Sequence, residues 1–255
     1  MDRIPCVVLV YFDFESIRIT LDALAVHAGA LDLIVVENTS PSTADLIRPY
    51  VDGLLADGTV ASYYLFERNI SNNAYQIVLD RLHDRIRRSP HVIVTDGDLL
   101  VHDPSWLGEE IGVLDRHPDV FACGVSLDMD NLPLATFPDA GGWVPPIVAD
   151  HGDYLEGVTG MQLVAFRGEE LAGFLDYRAA TGLHFLDSDL HVYAYGTLTK
   201  RWARTKRATA RHLTWDRYAD LSDPYTTAKL ARSFEQTWRH SDRCPYSLYT
   251  QGRPV

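Results

Sequence analysis

The sequence predicts an α/β fold built on a doubly wound, mostly parallel sheet. Two patterns carry that expectation. Short β-branched apolar runs of strand length alternate with longer segments of helical periodicity through the first half of the chain. Several of those runs end in carboxylates, amides or hydroxyls, where an open sheet of this kind presents its ligand crevice. With 255 residues the chain is long enough to bury a real core, and one domain is the economical count.

Residues 6–12 (Cys-Val-Val-Leu-Val-Tyr-Phe) are continuously apolar, as suits a parallel strand covered on both faces. Ile17, Leu21, Leu24 and Ala25 then recur at helical spacing within 15–28, and Gly29 stands as a C-terminal stop. A second strand over 31–36 leads into Glu37-Asn38-Thr39-Ser40. Ser42 or Thr43 caps a helix running to about Leu55, with Leu46, Ile47 and Val51 on its inner face. Residues 60–66 read as a third strand. The spacing of Ile77, Val78, Leu82 and Ile86 predicts one long amphipathic helix over 71–88, closed by basic residues that complement its dipole. A fourth strand, Val92-Ile93-Val94, runs into Thr95 and the triplet Asp96-Gly97-Asp98.

The second half is less regular. A helix over 105–116, capped by Ser105 or Asp103, precedes a strand over 120–125. Residues 128–156 contain Pro133, Pro138, Pro145, Pro146 and Trp143 without periodicity, which reads as an ordered functional loop. Strand-like sequence follows at 161–166 and helix-like sequence at 187–195. A late strand covers 208–213, and Asp223-Pro224 starts a helix to about His240.

A formal charge of −12 argues against a broad nucleic-acid or anionic-membrane surface and suits a site that collects cations. Cys6, Cys123 and Cys244 are odd in number, far apart and in no metal-binding spacing, so reduced thiols in a cytoplasmic protein are expected. Met1 leads straight into strand-like sequence without a signal-peptide layout, and no apolar run approaches the roughly 20 residues of a transmembrane segment.

Asp96 and Asp98 are the strongest chemical signal. Hard oxygen ligands at the carboxyl end of a strand suit Mg²⁺ or Mn²⁺ shared with substrate phosphates. An ordinary strand-to-turn junction is the plain alternative. Three further groups occupy predicted strand ends: Tyr11, Phe12 and Asp13; then Glu37; then Asn69, Asn72 and Asn73. Together they can line one nucleotide pocket, an aromatic against the base and Glu37 accepting from base or ribose; turn capping is the competing role. The basic run 200–211 is either a phosphate-facing loop or a solvated face. The aromatics Trp215, Tyr218, Tyr225, Phe234, Trp238, Tyr246 and Tyr249 serve as packing or as a wall for a sugar acceptor.

The order of these motifs resembles the GT-A glycosyltransferases, most closely their inverting family 2 group. The match runs from the first strand through Glu37-Asn38-Thr39-Ser40, Arg68-Asn69 and Thr95-Asp96-Gly97-Asp98. It continues in Thr159-Gly160-Met161, in Leu186-Asp187-Ser188-Asp189-Leu190 and in His212, covering most of positions 4–215. The resemblance implies a GT-A fold with a nucleotide-sugar-binding half at 1–103, an acceptor and catalytic half at 104–215 and a helical tail at 216–255. It implies that Tyr11, Phe12, Asp13, Glu37, Asn69, Asn73 and Asp96 face the nucleotide. Asp96, Asp98 and His212 would hold Mn²⁺ or Mg²⁺, and Asp187 would be the general base. The donor would be a nucleotide-diphospho-sugar, a UDP-sugar favoured. The acceptor would be a hydroxyl of a glycan, a lipid-linked glycan or a small molecule. Two features depart from the family pattern: Glu37 replaces the usual Asp, and Leu186 replaces a frequent Glu.

The chemistry is consistent with those roles. Transfer builds negative charge on the departing diphosphate, which a divalent ion stabilises as a Lewis acid. An inverting reaction also needs a carboxylate that takes the acceptor proton and is not itself a metal ligand. Asp187 suits that role, with helix N-capping as its alternative; for His212 the alternative is a structural histidine. Retaining transfer, sugar-phosphate nucleotidyl transfer and a non-catalytic binding module are the competing functions. Tyr11-Phe12-Asp13-Phe14-Glu15-Ser16 lacks the Gly-rich basic loop of a nucleotidyltransferase.

Overall fold

The computed structural model describes residues 3–230, 244–250 and 253–254. The donor-side elements are β1 (Ile4–Tyr11), α1 (Phe14–Ala25), β2 (Leu31–Asn38), α2 (Ala44–Ala56), β3 (Val60–Phe66), α3 (Asn73–Arg81), α4 (His83–Arg88) and β4 (His91–Asp96). Next come β5 (Leu99–Val101), α5 (Trp106–Arg116), β6 (Val120–Leu127), β7 (Ala149–Asp150), β8 (Leu155–Glu156) and β9 (Val164–Arg167). The chain closes with α6 (Gly168–Thr181), α7 (Asp187–Val192), β10 (Arg201–His212), α8 (Pro224–Leu230), β11 (Tyr246–Thr250) and β12 (Arg253–Pro254).

One sheet runs in the order β12-β11-β3-β2-β1-β4-β9-β6-β10-β8-β7, with β5 paired to β10. β1 to β4 are mutually parallel where they pair, and β10 lies parallel to β6. β9 enters antiparallel between β4 and β6, and β11 antiparallel beside β3. The sheet is therefore mostly parallel, as the alternation of elements predicts. The segment after 215 is not purely helical, since β11 returns to the donor-side edge.

Helices cover both faces. Cys6, Val8 and Val10 pack into the layer of α1, α2 and α5, while Val7 and Leu9 pack into the layer of α3, α4 and α6. This is the physical reason β1 is apolar without interruption.

Several boundaries differ from those expected. The long helix expected over 71–88 starts later, after Ser71 takes a left-handed φ of 55°, and is divided into α3 and α4 where Leu82 leaves helical geometry at φ −93°, ψ 4°. The helical stretch near 187 ends in a single π turn, Tyr193–Thr197. Residues 128–156 are ordered as a 3₁₀ turn, Pro138–Trp143, and the β7–β8 hairpin. α8 accounts for the start of the helix expected after Asp223; positions 231–240, with Phe234 and Trp238, lie outside the described residues.

The basic run is the strand β10 rather than a loop. Its register slips between Arg204 and Thr209, and the Glu109 carboxylate accepts the freed N–H groups of Lys206, Arg207 and Ala208 at 2.7, 3.0 and 3.0 Å. The six cations are held elsewhere than at the sheet's ligand crevice. Arg204, for example, donates to Val158 O at 2.9 Å and Pro145 O at 2.8 Å, strapping down the long loop.

Beside Glu109, Glu110 is fully buried, and neither carboxyl oxygen has a hydrogen-bond partner among the described residues. Burial holds its pKa well above the usual carboxylate range. A group whose folded pKa is raised supports the fold in its protonated form. That support is complete below the unfolded value and falls by about 1.4 kcal/mol per pH unit as pH rises towards the folded value. Glu110→Gln removes the titration. Chemical denaturation should show the variant gaining stability over the wild type as pH rises from 4 to 8. A constant difference across that range would refute the assignment.

The three cysteines are buried free thiols. Among the described residues, no helix is long and apolar enough to cross a membrane.

Candidate functional site

The site forms where β1, β2 and β4 end. Gly97 N–H donates to Leu9 O at 2.7 Å, and a Cβ at Gly97 would lie 2.7 Å from Val10 Cγ1. Only glycine lets the Asp96–Asp98 turn press this closely on β1. Asp96 N–H is fixed by Met161 O at 3.1 Å. β5 then turns back and pairs with the end of β10, Leu99 opposite His212. Leu213 N–H donates to Asp98 O at 2.7 Å, locking the two segments together.

That pairing brings His212 to the aspartates. His212 Nδ1 lies 3.7 Å from Asp98 Oδ2, and Thr214 Oγ1 donates to the same oxygen at 2.7 Å. Trp215 stacks on the imidazole with ring centroids 4.7 Å apart and planes 2° from parallel. Tyr75 donates to Asp96 Oδ1 at 3.0 Å and also to Thr95 O.

Electrostatically the crevice is short of positive charge. Burial, and then the neighbouring Asp98 and Asp187, push the Asp96 pKa up to about 8. Burial pushes His212 below its ordinary value, keeping the ring neutral with a lone pair to offer. Asp98 Oδ1 is buried and has no hydrogen-bond partner among the described residues. An orphaned carboxylate oxygen beside a neutral imidazole fits a divalent cation that completes its coordination with substrate oxygens. Among the described residues, no group of three or more His, Cys, Asp or Glu side chains is gathered closely enough to hold a metal alone.

The other expected residues divide between crevice and frame. Tyr11 and Asp13 line the crevice with Asp96, Asp98 and His212. Asp13 also receives Arg217 Nε at 2.8 Å and Nη2 at 2.6 Å, so its carboxylate ties down the C-terminal segment. Phe12, at a left-handed φ of 64°, packs against Tyr11 and Tyr225 in an aromatic cluster.

Glu37 is fully buried and accepts the hydroxyl of Tyr63, a residue of the α1–α2 layer. Burial raises it to about 7. Its neighbour Asn38 lines the crevice instead, with Ser71 and Asn72. Asn69 closes a turn by accepting Ser71 N–H at 2.8 Å, and Asn73 is buried at the start of α3.

Asp187 opens α7, close enough to Asp96 to raise its pKa, and burial pushes Asp187 itself up to about 6. Asp189 accepts His184 N–H at 2.8 Å and shapes the entry to the helix. His91 pairs with Asp115 at 3.0 Å, and His102 lines a separate apolar cavity of about 260 Å³ under α1 and α5. That cavity is the roomier of the two but has no carboxylate in its wall, so the polar crevice is the candidate site.

Asn38, Tyr75, Thr214 and Lys229 are not singled out as site residues by the sequence patterns, and all but Tyr75 line the crevice, as does Tyr225, one of the aromatics expected as packing or an acceptor wall. Thr214 was the most accessible to inference, two residues beyond His212 at a strand end.

No family model matches the chain. An uncharacterized protein of Acanthamoeba polyphaga mimivirus is 41% identical over 252 residues, 98% of this chain and 34% of that protein. A second from the same virus is 36% identical over 250 residues, 97% of this chain and 50% of that protein. The chain thus spans between about a third and a half of the length of these curated relatives. Among solved structures it is similar to "GalNAc-T7 with UDP, GalNAc and Mn2+", at TM-score 0.54 and 9% identity over 82% of this chain and 43% of that one. The likeness is one of fold, and the fold is GT-A-like.

Proposed function

We propose that this chain is a metal-dependent glycosyltransferase domain of the inverting family 2 type, moving a sugar from a nucleotide-diphospho-sugar to an acceptor hydroxyl. One observation carries the reading. Two half-buried carboxylates, one with an oxygen that has no partner among the described residues, meet a buried neutral histidine at the C-terminal edge of a GT-A-like sheet. In this reading residues 1–103 bind the donor, 104–215 supply the acceptor side, and Tyr225 and Lys229 of the following segment add to the crevice wall.

Asp98 and His212 hold the divalent ion, with Asp96 beside it or on the ribose. When bound, the ion supplies Lewis-acid stabilisation of the leaving diphosphate. Tyr11, Asn38 and Asn72 flank the nucleoside side of the crevice. The acceptor oxygen bonds to the anomeric carbon as the bond from that carbon to the diphosphate oxygen breaks. The bonding pair leaves with the diphosphate, and the acceptor proton passes to the Asp187 carboxylate. A carboxylate held near 6 is largely deprotonated at neutral pH yet basic enough to accept that proton. The solved neighbour of similar fold carries UDP and Mn²⁺, which supports UDP as the first donor nucleotide to test.

Calorimetric titration with UDP, GDP, TDP and CMP, each with and without Mn²⁺, tests this reading. One diphosphate should bind in a Mn²⁺-dependent manner. Failure of all four to bind in the presence of Mn²⁺ would overturn it.

A further inference from the structure

Lys229 is the one lysine or arginine among the described residues that line the crevice, which it shares with Asp96, Asp98 and His212. It reaches there from α8. Its ammonium donates to Tyr225 Oη at 3.1 Å and lies 5.5 Å from that ring's centroid. An ammonium carries three donors, so two remain for a ligand.

Its position is held by a chain of ion pairs and caps rather than by α8 alone. Asp13, at the end of β1, grips Arg217; Arg217 Nη1 donates to Asp223 at 2.9 Å; Asp223 accepts Tyr225 N–H at 2.8 Å and so caps α8. The donor-side loop thereby sets where the Lys229 charge sits. The six cations of the basic run are bonded along β10 and do not line the crevice.

We propose that Lys229 binds the diphosphate of the donor and stabilises it as it leaves, acting across the crevice from the metal held by Asp98 and His212. The proposal rests on the nucleotide-sugar reading and adds to it the residue that meets the leaving group. It has a two-sided consequence. An ammonium beside two carboxylates repels a bare divalent ion but attracts a metal–diphosphate complex. A residue that merely props the crevice open would move both affinities in the same direction.

The test compares wild type, Lys229→Met and Lys229→Arg with two probes. Mn²⁺ alone is followed by the paramagnetic resonance signal of the free ion, and inorganic pyrophosphate with saturating Mn²⁺ by calorimetry. Lys229→Met should bind pyrophosphate about tenfold or more weakly, with Mn²⁺ alone bound as tightly or a few-fold more tightly; Lys229→Arg should retain most of the pyrophosphate affinity. Unchanged pyrophosphate binding in Lys229→Met, or parallel loss of both probes, would overturn the proposal. So would a wild type that binds no pyrophosphate. If the wild type binds Mn²⁺–pyrophosphate through Lys229 but no nucleoside diphosphate, the nucleotide-sugar reading fails and the Lys229 assignment stands. The reverse pattern separates them the other way.

Discussion

Asp98→Ala is expected to lower transfer by about 10²–10³-fold or more and to abolish the response of the protein to Mn²⁺. Asp98 presents one oxygen to Thr214 and His212 and a second, buried oxygen to no hydrogen-bond partner among the described residues. Removing it takes away the carboxylate best placed to meet a cation. It also removes one of the charges that, after burial, raise the Asp96 pKa, so Asp96 ionises more easily. The apo variant should therefore melt no lower than the apo wild type despite losing the Thr214 bond. Melting curves in EDTA and in Mn²⁺ separate the two effects, because a ligand bound only by the folded state raises the melting temperature. Wild type should be stabilised by Mn²⁺ with UDP and the variant should not. An Asp98→Ala protein with the wild-type Mn²⁺ response would remove Asp98 from the site.

Asp187→Asn should reduce kcat by about 10²–10⁴-fold while leaving Mn²⁺-dependent donor binding intact. The amide keeps the shape of the carboxyl group but cannot accept the acceptor's proton. In the wild type, kcat/KM should rise with pH through about 6 and then level off, because the active form is the carboxylate whose burial raises its pKa. The sign follows from the role: a general base is inactive when protonated, so activity is lost on the acid side. A matched loss of donor affinity and rate in Asp187→Asn would make Asp187 a binding residue instead. A flat profile between pH 5 and 7 would count against the general-base role.

Glu37 and Asn38 show where sequence reasoning stops. β2 is buried on both faces along its whole length, so its side chains carry no polar alternation to say which face each residue takes. Glu37 proved to face Tyr63, and Asn38 the crevice. Asp13 is similar: its place at a strand end was legible, but its capture by Arg217, far along the chain, was not.

What the sequence by itself determined is the local frame. The apolar runs demand strands covered on both sides, their alternation with amphipathic segments demands a doubly wound sheet, and Asp96-Gly97-Asp98 must then fall at its ligand edge. Asp187 at a helix start was equally local. Only the tertiary structure decided what meets those groups. The antiparallel pairing of β5 with β10 carries His212 and Thr214 to Asp98, and α8 carries Lys229 into the same crevice. Periodicity reports which face of one element is buried. It says nothing of which distant element covers that face, because that is set by the packing of the whole sheet and its helices.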